Sequence, residues 1–313
     1  MSVKRRTRSV RSRQADPSVY VIPETTQRIR PASKPGSGRL SVLIITGRAS
    51  FEHDWRGTTN AIRNLLEESG RFEVRVTEEF RGATQATLAP YDLVLLNYCG
   101  RWFYEDREEP RWGEPAESAL FEFVRNGGGA VVYHPTFALG APDWPEFERL
   151  AGATLRSTPA QSRRCPLDGF RIRVVDHRSP ITKGLREYLW SLNDDMITNL
   201  RWSPATKDLN VLVTGYDDPG AYDARWAGPK YPASRFSPAR LAAMPNMDRE
   251  NPLVWTSRYG RGRVYSFTLG HAPDTLQHDA VATLLLRGAE WAGSGIVTIA
   301  PRDKTVAYTT SRR

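Results

Sequence analysis

From Leu40 onward, short apolar runs alternate with amphipathic segments, and few folds accommodate that rhythm. Ser41-Val-Leu-Ile-Ile-Thr46 has the β-branched content of a buried strand, and Thr58 to Ser69 carries Ile62, Leu65 and Leu66 at helical spacing before Gly70. Phe72 to Thr77 alternates as a second strand, and Asp92 to Asn97 is a third. Ala116 to Arg125 reads as a helix stopped by Gly127-Gly-Gly129, and Ala130 to His134 is a fourth strand. Parallel strands need crossovers of this length, so the spacing predicts an α/β fold with a doubly wound, mostly parallel, flavodoxin-like sheet. Beyond Gly152, strands are expected at 170–175, 211–214, 253–257 and 263–268, the last two joined as a hairpin through Tyr259-Gly-Arg-Gly262. A closing helix from Gln277 to Trp291 has Val281, Leu284, Leu285 and Ala289 on one stripe. Residues 215–250, rich in Pro, Gly, Asp and Arg, have no clear period and read as a long surface excursion.

The formal net charge of +9 favours anionic partners only if it belongs to the folded part. It does not: residues 1–39 carry +8 and residues 302–313 carry +3, which leaves −2 for 40–301. The first 39 residues are polar, aperiodic and rich in proline, and so are expected to be a disordered basic arm. Residues 40–295 form the α/β domain and 296–313 a basic tail. Binding to nucleic acid is therefore expected only through residues 1–39. Paired arginines at the start suggest a twin-arginine signal, but no apolar stretch follows them, while the Arg/Ser-rich composition also matches a transit peptide. No apolar run approaches a membrane span. Two cysteines, Cys99 and Cys165, exclude a disulfide framework and a zinc–thiolate cluster, and the expectation is a cytoplasmic protein without membrane partners.

Ligands of open α/β sheets bind beyond the carboxyl ends of the strands, which selects candidate residues directly. The first strand leads to Phe51-Glu-His-Asp-Trp55, the third ends at Asn97 and Tyr98, the fourth at His134, and the hairpin at Thr268-Leu-Gly-His271. Three of only five histidines, His53, His134 and His271, thus follow strand ends and are expected to share a polar site. His177 lies in a turn-like segment and His278 at the start of the last helix, both read as structural. Asp194 and Asp195 are a candidate carboxylate pair, although Asn-Asp-Asp is also the composition of a turn or N-cap. Glu52 and Asp54 are another such pair. Trp55, Asn97, Tyr98 and Trp144 are candidate substrate contacts, the tryptophans because flat aromatic faces suit the apolar faces of sugar rings; Trp102 and Trp255 are also near these segments. Cys99 follows a strand but lacks the flanking glycine of a nucleophile elbow. Gly127-Gly-Gly129 precedes a strand instead of opening a helix, so no nucleotide cofactor is expected.

With these residues in view, the chain resembles the ThuA family, the trehalose-utilisation-like proteins, whose fold is similar to that of class I glutamine amidotransferases. The resemblance runs from about Leu40 to Ser294. It is carried by Ile45-Thr-Gly47, His53-Asp-Trp-Arg-Gly-Thr-Thr59, Tyr91 to Tyr98, Val124 to His134, Trp144-Pro-Glu-Phe147, Ser179 to Leu185, Tyr259 to Val264, Leu269-Gly-His271 and Arg287 to Ala292. It implies carbohydrate catabolism: an enzyme acting on a sugar or keto-sugar, with a sugar dehydrogenase as pathway partner and no amidotransferase nucleophile. His53, His134 and His271 fall on family histidine positions and Asp194-Asp195 on the family's Asp-Glu pair, giving these five residues catalytic roles. The mixture of imidazole and carboxylate also suits a divalent metal held by His53, His134 and His271. A homo-oligomer is left open.

Three positions depart from the family pattern: Asp168-Gly169 and Ser191 replace histidines, and Asn251 replaces a glutamate. These departures motivate an alternative, a protein of the same fold that binds sugar or regulates without catalysis.

Overall fold

The computed structural model describes residues 38–47, 53–99, 111–140, 144–156, 162–164, 168–222 and 237–302. Six α-helices lie among them: α1 (Trp55–Glu68), α2 (Gln85–Leu88), α3 (Glu114–Arg125), α4 (Pro145–Ala151), α5 (Pro238–Ala242) and α6 (Asp279–Ser294). The strands are β1 (Leu40–Thr46), β2 (Phe72–Thr77), β3 (Leu93–Asn97), β4 (Gly129–Tyr133), β5 (Ala153–Thr154), β6 (Arg163–Arg164), β7 (Asp168–Val174), β8 (Tyr188–Asp194), β9 (Ile197–Thr198), β10 (Arg201–Trp202), β11 (Lys207–Tyr216), β12 (Glu250–Tyr259) and β13 (Gly262–Phe267). Nine form one sheet in the order β2-β1-β3-β4-β13-β12-β11-β7-β8; β5 pairs with β10 and β6 with β9.

One half matches the expected doubly wound arrangement. β2, β1, β3, β4 and β13 are mutually parallel, and their order reverses at β1, whose neighbours are β2 and β3. The other half corrects the expectation of a mostly parallel sheet, because β13, β12, β11, β7 and β8 are joined by antiparallel pairings throughout. Short turns such as Gly260-Arg261 connect antiparallel neighbours without a helix, which is why the alternation of strand and helix fades after Gly152. Helices cover both faces of the parallel half. Ile62, Leu65 and Leu66 of α1 share one core with Val281, Leu284, Leu285 and Ala289 of α6. Leu120 and Val124 of α3 share the other with Phe147 and Leu150 of α4.

β8 is a strand that periodicity did not disclose, and it matters for the site. Four strand spacings separate it from β13 in the sheet, about 19 Å if the sheet were flat. Yet Asp194, the last residue of β8, accepts a hydrogen bond from Gly270 N, three residues beyond β13, at 2.9 Å. The antiparallel half therefore curls back toward the carboxyl ends of the parallel strands. The excursion expected at 215–250 holds the end of β11, a 3-10 turn at Pro219–Tyr222 and α5; residues 223–236 lie outside the described residues.

The tail expected from 296 begins as a packed strap. Val297 and Ile299 lie against the α6 core, and the buried Glu290 carboxylate accepts Thr298 N (2.7 Å) and Ile299 N (3.0 Å). Alternating apolar residues anchor this strap as far as Arg302, whose N–H donates to Thr283 Oγ1 at 2.9 Å. The basic arm before residue 38 lies outside the described residues. Among the described residues no helix is long and apolar enough to cross a membrane.

Candidate functional site

Asp54 caps α1, its carboxylate accepting Gly57 N at 2.9 Å, and so fixes the loop from which His53 projects. His134 follows β4 directly and opens a 3-10 turn. His271 ends the segment that leaves β13. The structure brings these three together: ring centroids are 5.2 Å apart for His53 and His134, 4.6 Å for His53 and His271, and 5.4 Å for His134 and His271. One ring nitrogen from each histidine lies within 4.8 Å of one from each of the other two. His134 and His271 are buried, whereas His53 is half-buried and is the one of the three in reach of solvent.

Asp194 and Asp195 are both buried but face different partners. Asp195 points to the imidazoles: Oδ1 stands 3.4 Å from His134 Nε2 and Oδ2 3.5 Å from His271 Nδ1. Asp194 instead holds backbone. Oδ2 accepts Gly270 N at 2.9 Å, while Oδ1 accepts His271 N at 2.8 Å and Asp195 N at 3.0 Å. Burial and the neighbouring Asp195 push its pKa up to about 8, while the three N–H donors pull the other way. One carboxylate thus ties the backbone of two other site residues together. The Asn-Asp-Asp run is a strand end rather than a turn or N-cap.

The Thr268–His271 segment organises the rest. Its Thr268 carbonyl lies 2.5 Å from His134 Nδ1. A carbonyl can only accept, so Nδ1 carries the proton of this bond and Nε2 is the ring nitrogen that faces Asp195. Gly270 has φ +95°, and a Cβ there would overlap the Tyr133 hydroxyl, which donates to the Gly270 carbonyl at 2.7 Å. Burial raises the Tyr133 pKa well above its ordinary value, keeping this donor protonated. Thr268, Gly270 and Tyr133 had no signal as site residues beyond their nearness to His134 and His271 in sequence, because their contribution runs through backbone.

Asn97 sits buried at the end of β3. Thr46 Oγ1 donates to the Asn97 carbonyl at 3.0 Å, and Asn97 Nδ2 donates to Thr59 Oγ1 at 3.0 Å. Its Oδ1 is a buried acceptor with no hydrogen-bond partner among the described residues. Tyr98 is buried, its ring 5.0 Å from that of Trp112 and its N–H donating to Thr136 Oγ1 at 3.0 Å. Trp55, half-buried beside His53, packs on Cys99 and Ala138 and lies under the Arg56 guanidinium at 4.1 Å. Trp144 is buried in the same core as Tyr98, and its ring lies against Phe121, Phe147 and the Arg111 guanidinium. Trp255 is likewise core, donating to the Ala151 carbonyl at 2.9 Å. Asn251 spends its amide on the carbonyls of Asn246 and Arg249. His177 is exposed, and His278 occupies the N-cap position of α6. Glu52, Trp102 and Cys165 lie outside the described residues.

Comparison with known proteins places the chain in a family. A ThuA-like protein from Parabacteroides merdae has a similar structure, with a TM-score of 0.63 and 25% identity over 83% of this chain and 92% of that one. A ThuA-like protein from Bacteroides uniformis is similar in fold, with a TM-score of 0.60 and 18% identity over 84% and 95%. No curated protein matches the chain. The model of the ThuA family, described as trehalose utilisation, matches residues 41–292, and the chain therefore belongs to the ThuA family.

Proposed function

We propose that this protein is an enzyme that acts on a sugar or keto-sugar by proton transfer beside a carbonyl group. The observation that carries the reading is the convergence of His53, His134, His271 and Asp195 from four separate segments on the carboxyl-end side of the sheet. Trehalose utilisation as the family description favours a carbohydrate substrate.

The roles follow from depth. His53, half-buried at the entrance, is the general base: it takes the proton from the carbon beside the carbonyl and returns it to the departing oxygen or to carbon. His271, protonated with Asp195 as its counter-ion, is the donor to the carbonyl oxygen as charge develops on it, and Asp194 keeps His271 and Asp195 in register with each other. Trp55 offers a flat face beside His53, and Asn97 Oδ1 offers an acceptor for a sugar hydroxyl. A sugar dehydrogenase would supply a keto-sugar to such a site.

The test is a screen of 3-keto-glycosides with the full-length protein, reading sugar release and deuterium exchange at the carbon beside the carbonyl. Turnover should fall by about 100- to 10,000-fold in His53→Ala, the contribution usual for a positioned base, with the melting temperature unchanged. Wild-type protein that neither exchanges nor cleaves any of these substrates, or a His53→Ala variant of full activity, overturns the reading.

A further inference from the structure

Two arginines bordering the histidines stand without a carboxylate. Elsewhere in the domain Arg71, Arg111, Arg125, Arg173 and Arg201 each reach one, as a body of net charge −2 readily allows. Among the described residues Arg56 and Arg156 form no such pair. Each follows a member of one small cluster, in which Trp55 and Leu155 pack on Cys99 and Ala138. That cluster borders the candidate site: Trp55 is two residues from His53, and Ala138 lies in the 3-10 turn that His134 opens. An Nη of Arg156 also reaches the carbonyl of Leu200, in the segment that leaves Asp195.

The two guanidinium groups are held differently, and neither position is comfortable for an unpaired cation. Arg156 is half-buried, its Nε is shut off from solvent with no acceptor, and its one side-chain bond, to Leu200, is long at 3.4 Å. A guanidinium carries five N–H donors, and holding it partly out of water costs stability unless acceptors meet them. Arg56 is exposed and lies over the Trp55 ring in the first turn of α1, which contains no acidic residue. The positive end of the helix dipole disfavours a cation there. Asp54, the cap, turns its carboxylate to Gly57 N instead.

We infer that Arg156, aided by Arg56, is an anion anchor at the rim of the site, so that the sugar this enzyme takes carries a carboxylate or phosphate group. The sugar half of this inference rests on the proposed function. Carboxylate and phosphate share the chemistry required, since each accepts two parallel N–H groups from one guanidinium. Arg156 is then a specificity residue, reading charge on the substrate while the histidines act on its carbonyl.

Ligand-observed NMR on the full-length protein at low salt compares glucuronate, glucose 6-phosphate and glucose. At least one anionic sugar should bind about 10- to 100-fold more tightly than glucose, the usual worth of a hydrogen bond to a charged group. Whichever of the two binds better names the anion. Arg156→Met keeps an apolar stem and should abolish the preference without moving the glucose affinity, whereas Arg156→Lys, a point charge without the fork, should keep only part of it. Arg56→Ala, at an exposed position, should weaken the anionic sugar severalfold and leave glucose alone. Absence of binding by both anionic sugars, equal affinity for charged and neutral ones, or an unaltered preference in Arg156→Met overturns the inference. Variants that weaken charged and neutral sugars alike also overturn it. Turnover of neutral 3-keto-glycosides without any charge preference would leave the proposed function standing and refute the anchor. A preference that Arg156→Met removes, in a protein that turns over no keto-sugar, would do the reverse.

Discussion

Replacing Asp194 by asparagine tests whether this residue is the clamp of the site. The wild-type carboxylate accepts three backbone N–H groups, two on Oδ1 and one on Oδ2, from Asp195, His271 and Gly270. An asparagine of the same shape keeps one oxygen, which the pair from Asp195 and His271 would claim. Its NH2 group then faces Gly270 N–H, donor against donor. The lost bond to a charged acceptor is worth about 1.5–3 kcal/mol, and the stranded N–H costs about 1–3 kcal/mol because Gly270 is buried. Removing a buried charge beside Asp195 offsets part of this, leaving about 2–4 kcal/mol of net destabilisation. Alanine strands all three N–H groups and should cost more than asparagine does.

Urea unfolding at about pH 9, above the Asp194 pKa of about 8 so that the carboxyl is ionised, reads the difference, provided that the slope with denaturant is unchanged and only the midpoint moves. Asparagine within about 0.5 kcal/mol of wild type, the range of an inconsequential substitution, would refute the reasoning. In that case the carboxyl is not acting as a charged acceptor for three donors.

Two further outcomes follow from the same contacts. Gly270→Ala places a Cβ on the Tyr133 hydroxyl at φ +95° and should destabilise by more than about 3 kcal/mol, while Gly70→Ala, also at positive φ (+69°) but with open space around it, should cost only about 1–2 kcal/mol by thermal or urea unfolding. For the buried Glu290, burial would raise the pKa, but Thr298, Arg71 and Ile299 outweigh it and hold the carboxyl below its ordinary value of 4.5. A depressed folded pKa means stability that is present above the unfolded value and lost as pH falls through the folded one. Glu290→Gln should therefore flatten the acid side of the stability–pH curve below 4.5, and an unchanged acid slope in a urea series would count against it.

The parallel half of the fold is legible because each element repeats a clean period. Ile62, Leu65 and Leu66 mark α1, and the all-buried β3 and β4 read as continuous apolar runs, as strands covered on both faces must. The antiparallel half breaks those rules for physical reasons. β11 is exposed over its first four residues and shifts register between Lys207 and Asn210, between Val211 and Val213, and again at Thr214, so that only its apolar centre reads as strand. β8 begins with the exposed Tyr188 and ends on Asn193-Asp194, residues depleted in strands, and its hydrogen-bonding partner β7 is itself irregular between Asp168 and Phe170. With β8 unseen, nothing in the sequence tells that its last residue curls back to Gly270.

The same missing strand explains why the candidate site was half legible. His53, His134 and His271 needed only the rule that chemistry gathers beyond the carboxyl ends of strands, and the rule worked because each histidine lies within a few residues of an element whose period is clear. Asp194 and Asp195 are neighbours in sequence, so composition presents them as a pair. Successive residues of an extended strand point to opposite sides, however, so a strand end must divide such a pair. Only a partner 76 residues away decides which side is which: the Gly270 N–H, offered by a backbone that the Tyr133 hydroxyl and a positive φ hold in place, takes Asp194. Asp195 is then the carboxylate left to face the imidazoles, and any chemistry at this centre depends on a glycine that takes part only through its backbone.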